Sequence, residues 1–130
     1  RGPGENYCDR VLSAPIGVYE TTVAAQHFPF IPPAECGGHE DVRHLALSGG
    51  ECSLTIVGER PFHFDARYTP IASYAGAMHD FELQRGARPI LHVDAAHAGI
   101  GGDMAWSSMH DDADRVLPGL YRLKLYIRAE

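Results

Sequence analysis

The sequence predicts an all-β fold of antiparallel strands in two packed sheets, a β-sandwich. Three observations point to it. Seven or eight short stretches of alternating or β-branched residues are separated by turn signals; at most one stretch favours a helix; and no strand–helix–strand alternation appears.

In chain order, Arg1-Gly2-Pro3 is a turn-like opening, and Glu5, Asn6, Tyr7 and Asp9 read as a polar loop whose side chains bond nearby backbone groups. Ile16 to Val23 is predicted as a strand, rich in β-branched and aromatic residues. Phe28-Pro29-Phe30-Ile31-Pro32-Pro33 is extended, and its prolines exclude central-sheet pairing, so it is expected to cover the core. After the Gly37-Gly38 turn, Val42–Ser48 and Cys52–Gly58 form a hairpin across Ser48-Gly49-Gly50-Glu51, with Leu45 and Leu47 on one face and Leu54 and Ile56 sharing a face. Phe62-His63-Phe64-Asp65-Ala66 has the alternation of a strand with one wet face. One short helix is expected within Thr69–Met78, interrupted by Gly76. His79–Gln84 and Ile90–Ala96 are expected to pair across Arg85–Pro89, and Leu120–Arg128 forms the last strand.

The chain's 130 residues suit one domain, and 45% hydrophobic with 22% charged residues is ordinary for a soluble globular protein. A net charge of −6 argues against a nucleic-acid binder and against docking on anionic membranes. There is no bilayer-length apolar run and no signal-peptide-like start. Cys8, Cys36 and Cys52 are odd in number and lack C-x-x-C spacing, which predicts reduced thiols and a cytoplasmic location. The eight histidines show no zinc-ligand spacing and read as ordinary surface and loop residues; no metal site is expected. His110-Asp111-Asp112-Ala113-Asp114 lacks the calcium-loop pattern and reads as a solvated acidic turn.

The stretch that organises the chain runs from His97 to Trp106, where Gly99, Gly101 and Gly102 precede Asp103 and the single tryptophan. Three glycines in four positions mark a tight backbone path. From the residues alone, Trp106 either plugs the end of the sandwich or offers a flat apolar ring on which a pyranose stacks.

His97, Gly99, Gly101, Gly102, Asp103 and Trp106 match an H-x-G-x-G-G-D-x-x-W stretch. Two further blocks accompany it in order: Gly2-Pro3-Gly4-Glu5-Asn6-Tyr7-Cys8-Asp9-Arg10, similar to G-P-x-E-N-Y-P-D-R, and Pro33-Ala34-Glu35-Cys36-Gly37 with Asp41-Val42-Arg43, similar to P-Q-E-N-G followed by D-V-R. On these blocks the chain resembles the C-terminal part of lac-type bacterial β-galactosidases, glycoside hydrolase family 2. Cys8, Ala34, Cys36, His44 and Met104-Ala105 depart from that pattern; Cys36 stands where the family has asparagine.

The resemblance implies about half of a galactose-mutarotase-like supersandwich over residues 1–130, cut from a longer polypeptide. It further implies that the retaining hydrolysis of β-galactosides such as lactose belongs to two glutamates in a barrel domain elsewhere, so no catalytic residue and no hydrolase activity is expected in the isolated chain. Trp106 is the implied substrate-binding residue, stacking on the acceptor sugar, and His97, Gly99, Gly101, Gly102 and Asp103 shape its loop. The family's Mg and Na ions are bound by other domains, so no cofactor is expected here. Expected partners are the sugar, the remaining domains and further copies in a homo-oligomer, since a half-sandwich leaves strand edges open. The alternatives are a free-standing carbohydrate-binding module and a purely structural assembly domain.

Overall fold

The computed structural model describes residues 1–100 and 111–130. Its strands form an antiparallel sheet of four: β1 (His39–Gly49), β2 (Cys52–Arg67), β3 (Ile90–Asp94) and β4 (Leu125–Ala129). The all-β, antiparallel expectation holds. The second sheet that a sandwich requires is not among the described residues.

β2 is the spine. β1 runs along one side of it, while β4 and β3 lie end to end on the other, β4 opposite Leu54–Gly58 and β3 opposite His63–Arg67. The expected hairpin is present, with Leu45 opposite Ile56 and Leu47 opposite Leu54. The two stretches read as separate strands, Cys52–Gly58 and Phe62–Ala66, are one strand carried through an irregularity at residues 58–61. There the register against β1 jumps from His44–Val57 to Val42–Phe62, which re-aims the strand and accommodates Pro61. One face of the sheet carries the core of Val42, Leu45, Ile56, Phe62, Phe64 and Ala66, onto which Val23, Leu91, Val93, Leu123 and Leu125 pack.

Several expected elements differ. Ile16–Val23 is not a strand: Ile16 and Val18 are exposed, and the segment ends in a 3-10 turn, Ala24–Gln26. β-branched residues make a strand only when they pair with a neighbour, and this segment pairs with none of the four strands. Thr69–Met78 holds only the 3-10 turn Ile71–Ser73 between Pro70 and Gly76. His79–Gln84 contains the 3-10 turn Asp80–Glu82, because the Glu82 carboxylate accepts the N–H groups of Met78 (2.7 Å) and His79 (3.2 Å). β3 therefore pairs with β2 instead. The last strand is confined to Leu125–Ala129, and Asp112–Asp114 is a 3-10 turn with Asp112 and Ala113 exposed.

The largest difference concerns the polar face of β2. His63 and Asp65 are each 2% exposed and Arg67 is 6% exposed, so the face expected to be wet is covered. The N-terminal segment of the chain and the turn around His97 lie over it.

Candidate functional site

Strand alternation puts His63, Asp65 and Arg67 on the side of β2 opposite Phe62, Phe64 and Ala66. β3 supplies His92 directly opposite Asp65, with Nδ1 at 3.1 Å from its Oδ1. Arg67 Nη2 donates to Asp65 Oδ2 at 2.6 Å and to Glu35 Oε1 at 2.8 Å. Burial by itself lowers the Arg67 pKa, but the two carboxylates outweigh it and leave the guanidinium more firmly charged than usual.

Glu35 is shared. His97 Nε2 lies 3.6 Å from its Oε1, while His97 Nδ1 donates to its neighbour's carbonyl, Ala98 O, at 2.7 Å. Both ring nitrogens thus face acceptors, which favours the imidazolium; the carboxylate of Glu35 is the main reason the His97 pKa is raised. His97 and Arg67 together pull the Glu35 carboxyl down to about 2.

The His97 ring stacks on His63, centroids 4.2 Å apart, and both rings lie against Tyr7 at 5.5 and 5.6 Å. His63 Nδ1 donates to Glu40 Oε1 at 2.8 Å. Tyr7 is fully buried, which pushes its phenol pKa up, and its hydroxyl accepts the Gly38 N–H at 3.1 Å. Glycine is needed at 38 for close approach: a Cβ there would sit 2.5 Å from Tyr7 Cε1 and 2.7 Å from His63 Cε1. Gly38→Ala is therefore expected to cost about 1–3 kcal/mol through overpacking. A lower urea midpoint at unchanged slope would show it.

Of the Glu5, Asn6 and Tyr7 side chains, Asn6 bonds nearby backbone as expected, its Nδ2 donating to Gly4 O at 3.4 Å, but all three also reach distant segments. Glu5 Oε2 accepts the Gly37 N–H at 2.9 Å and Asn6 Oδ1 accepts the Glu40 N–H at 3.0 Å, so the first block is fastened to the second. The third block joins through His97 and Gly99. Buried Gly99 packs so closely on Asp9 that a Cβ would fall 2.6 Å from its Cγ, and Gly99 N–H donates to Asp114 O at 2.9 Å. The Cys8 thiol, pushed up to about 11 by burial, meets the same carbonyl at 3.7 Å. Residues 99 and 114 are thereby held together at the rim of the cluster.

Of the residues expected to form the site, His97 and Gly99 are thus placed, while Gly101, Gly102, Asp103 and Trp106 lie outside the described residues. Sequence reasoning missed Tyr7, Glu35, His63 and Arg67. The available signal was that β2's alternating polar residues are His, Asp and Arg, which can pair with one another. His39 and His63, read as surface or loop histidines, are buried. The three cysteines are free, and among the described residues no group of three or more His, Cys, Asp or Glu is arranged to hold a metal ion. No helix among those residues is long and apolar enough to cross a membrane.

The segments that meet on this face are the three sequence blocks, and a family model described as the β-galactosidase small chain matches residues 1–127. The chain belongs to that family. The β-galactosidase of Vibrio cholerae is 38% identical over 131 residues, which cover 99% of this chain and 12% of that protein. That of Psychromonas ingrahamii is 40% identical over 114 residues, 86% of this chain and 10% of that protein. β-Galactosidase BgaC of Bifidobacterium adolescentis is 33% identical over 134 residues, 96% of this chain and 13% of that protein. This small-chain region therefore spans about an eighth of the length of these relatives.

Proposed function

We propose that the chain is a non-catalytic part of a β-galactosidase, supplying structure and, through Trp106, a stacking surface for the acceptor sugar. The observation that supports this best is the convergence of all three blocks on one buried cluster, ending in the Gly99–Asp114 hydrogen bond. Arg67, Glu35, Asp65 and His97 spend their charges on one another, an arrangement suited to holding segments together. Hydrolysis, with its pair of carboxylates and its Mg and Na ions, then resides in the remainder of a cytoplasmic, homo-oligomeric enzyme. Burying one apolar sugar face on an indole contributes about 1–3 kcal/mol. In the intact polypeptide, Trp106→Ala is accordingly expected to weaken inhibition by glucose, as an acceptor, by about 5- to 150-fold while leaving hydrolysis of an activated aryl galactoside largely intact. Unchanged glucose inhibition would overturn the stacking role and favour a purely structural one.

A further inference from the structure

Cys36 replaces the family's asparagine, and its surroundings are not those of an inert core thiol. Its Sγ lies 3.8 Å from His27 Nδ1, and His27 Nε2 lies 2.5 Å from Asp80 Oδ1. Asp80 is itself held by Arg85 Nη2 at 3.0 Å. The Asp80 carboxylate can only accept, so it fixes the proton on His27 Nε2 and leaves the Nδ1 lone pair facing the thiol. The Phe28 N–H points at Cys36 Sγ at 3.4 Å, a donor that favours negative charge on sulfur. This is the order nucleophile, base, orienting carboxylate.

A cavity of about 50 Å³ is walled by Cys36, His27, Gln26, Arg67, Thr69 and Arg85 among others. The volume suits a few water-sized molecules and excludes a peptide thiol.

We propose that Cys36 is a peroxide-oxidisable thiol served by His27 and Asp80, with the cavity that Cys36 and His27 line receiving the oxidant. His27 Nδ1 takes the thiol proton, and the sulfur lone pair attacks the nearer oxygen of hydrogen peroxide. The S–O bond forms as the O–O bond breaks, and the leaving hydroxide takes the proton from His27 and departs as water. Sulfur loses two electrons, peroxide gains two, and the product is a sulfenic acid. Burial pushes the resting thiol up, so the proton starts on sulfur and the base is required. The modified residue lies between Glu35, which holds Arg67 and His97, and Gly37, which is bonded to Glu5.

Cys8 and Cys52 are internal controls, Cys52 being exposed at the β1–β2 hairpin. The intact polypeptide is treated with hydrogen peroxide for timed intervals, the peroxide is removed with catalase, the protein is unfolded in guanidinium chloride containing dimedone, and adducts at each cysteine are counted by mass spectrometry. Cys36 is expected to react at least about tenfold faster than Cys52, and His27→Gln to slow Cys36 by about a hundredfold with Cys52 unchanged, the low end for a general base. If His27→Gln does not fold, Asp80→Asn at the protein's surface decides, with an expected slowing of at least about threefold. Cys52 outrunning Cys36, or a Cys36 rate indifferent to the deciding substitution, overturns the proposal.

Discussion

Arg67→Met is expected to destabilise the chain by about 3–5 kcal/mol, the range for removing one partner of a buried ion pair. The substitution roughly keeps the volume, so the loss isolates the charge. Asp65, 2% exposed, would retain only His92 as a charged or polar partner from this cluster, and Glu35 only the more distant His97. A carboxylate left in that environment must take up a proton or draw in water, and either is unfavourable at neutral pH. The comparison that separates charge from packing is the triple substitution Arg67→Met, Asp65→Val, Glu35→Gln. Removing all three charges is expected to recover much of the loss, because an apolar replacement of a buried pair is often neutral. Urea denaturation of the three proteins checks both statements; a single-variant loss below about 1 kcal/mol would mean the cluster contributes no more than surface pairs do.

Glu35→Gln is expected to cost about 1.5–3 kcal/mol, as for hydrogen bonds to charged groups, and the cost should depend on pH in a defined direction. The Glu35 pKa is held at about 2, first by His97 and then by Arg67, against an ordinary 4.5. Its contribution is thus complete above 4.5 and lost as the pH falls towards 2. The His97 pKa is raised above 6.5 chiefly by Glu35, so its contribution is complete below 6.5 and lost as the pH rises through the raised value. The stability difference between native and Glu35→Gln protein should therefore be largest between 4.5 and 6.5 and shrink on both sides. Denaturation at a series of pH values measures it; a difference that stayed flat into the alkaline range would remove His97 from the pair and leave Arg67 as the sole partner.

Much of the framework was legible because it rests on local rules. Glycines between two alternating stretches marked the β1–β2 hairpin, and the apolar positions of both strands marked the core face; the register itself came from the folded structure. Prolines kept Phe28–Pro33 out of the strands of the sheet, as expected, but the segment does not cover the core: Phe28 and Ile31 are exposed and none of its residues packs on the core cluster. Ile16–Val23 and His79–Gln84 failed for opposite reasons. The first has strand-forming residues but pairs with none of the four strands; the second is captured by the Glu82 carboxylate, whose capture of two backbone N–H groups outweighs a short alternation.

The three blocks and their order, by themselves, determined which family this chain belongs to, and alternation determined which residues of β2 share a face. What covers that face was settled only by tertiary structure. Periodicity reports the side of a strand on which a residue lies, but not whether water or another segment meets it. Tyr7, Glu35 and His97 stand far apart in the chain, and only the folded backbone brings them over His63 and Arg67. The same holds for Cys36, His27 and Asp80, whose proximity depends on how two loops pack and is written in no spacing of the sequence.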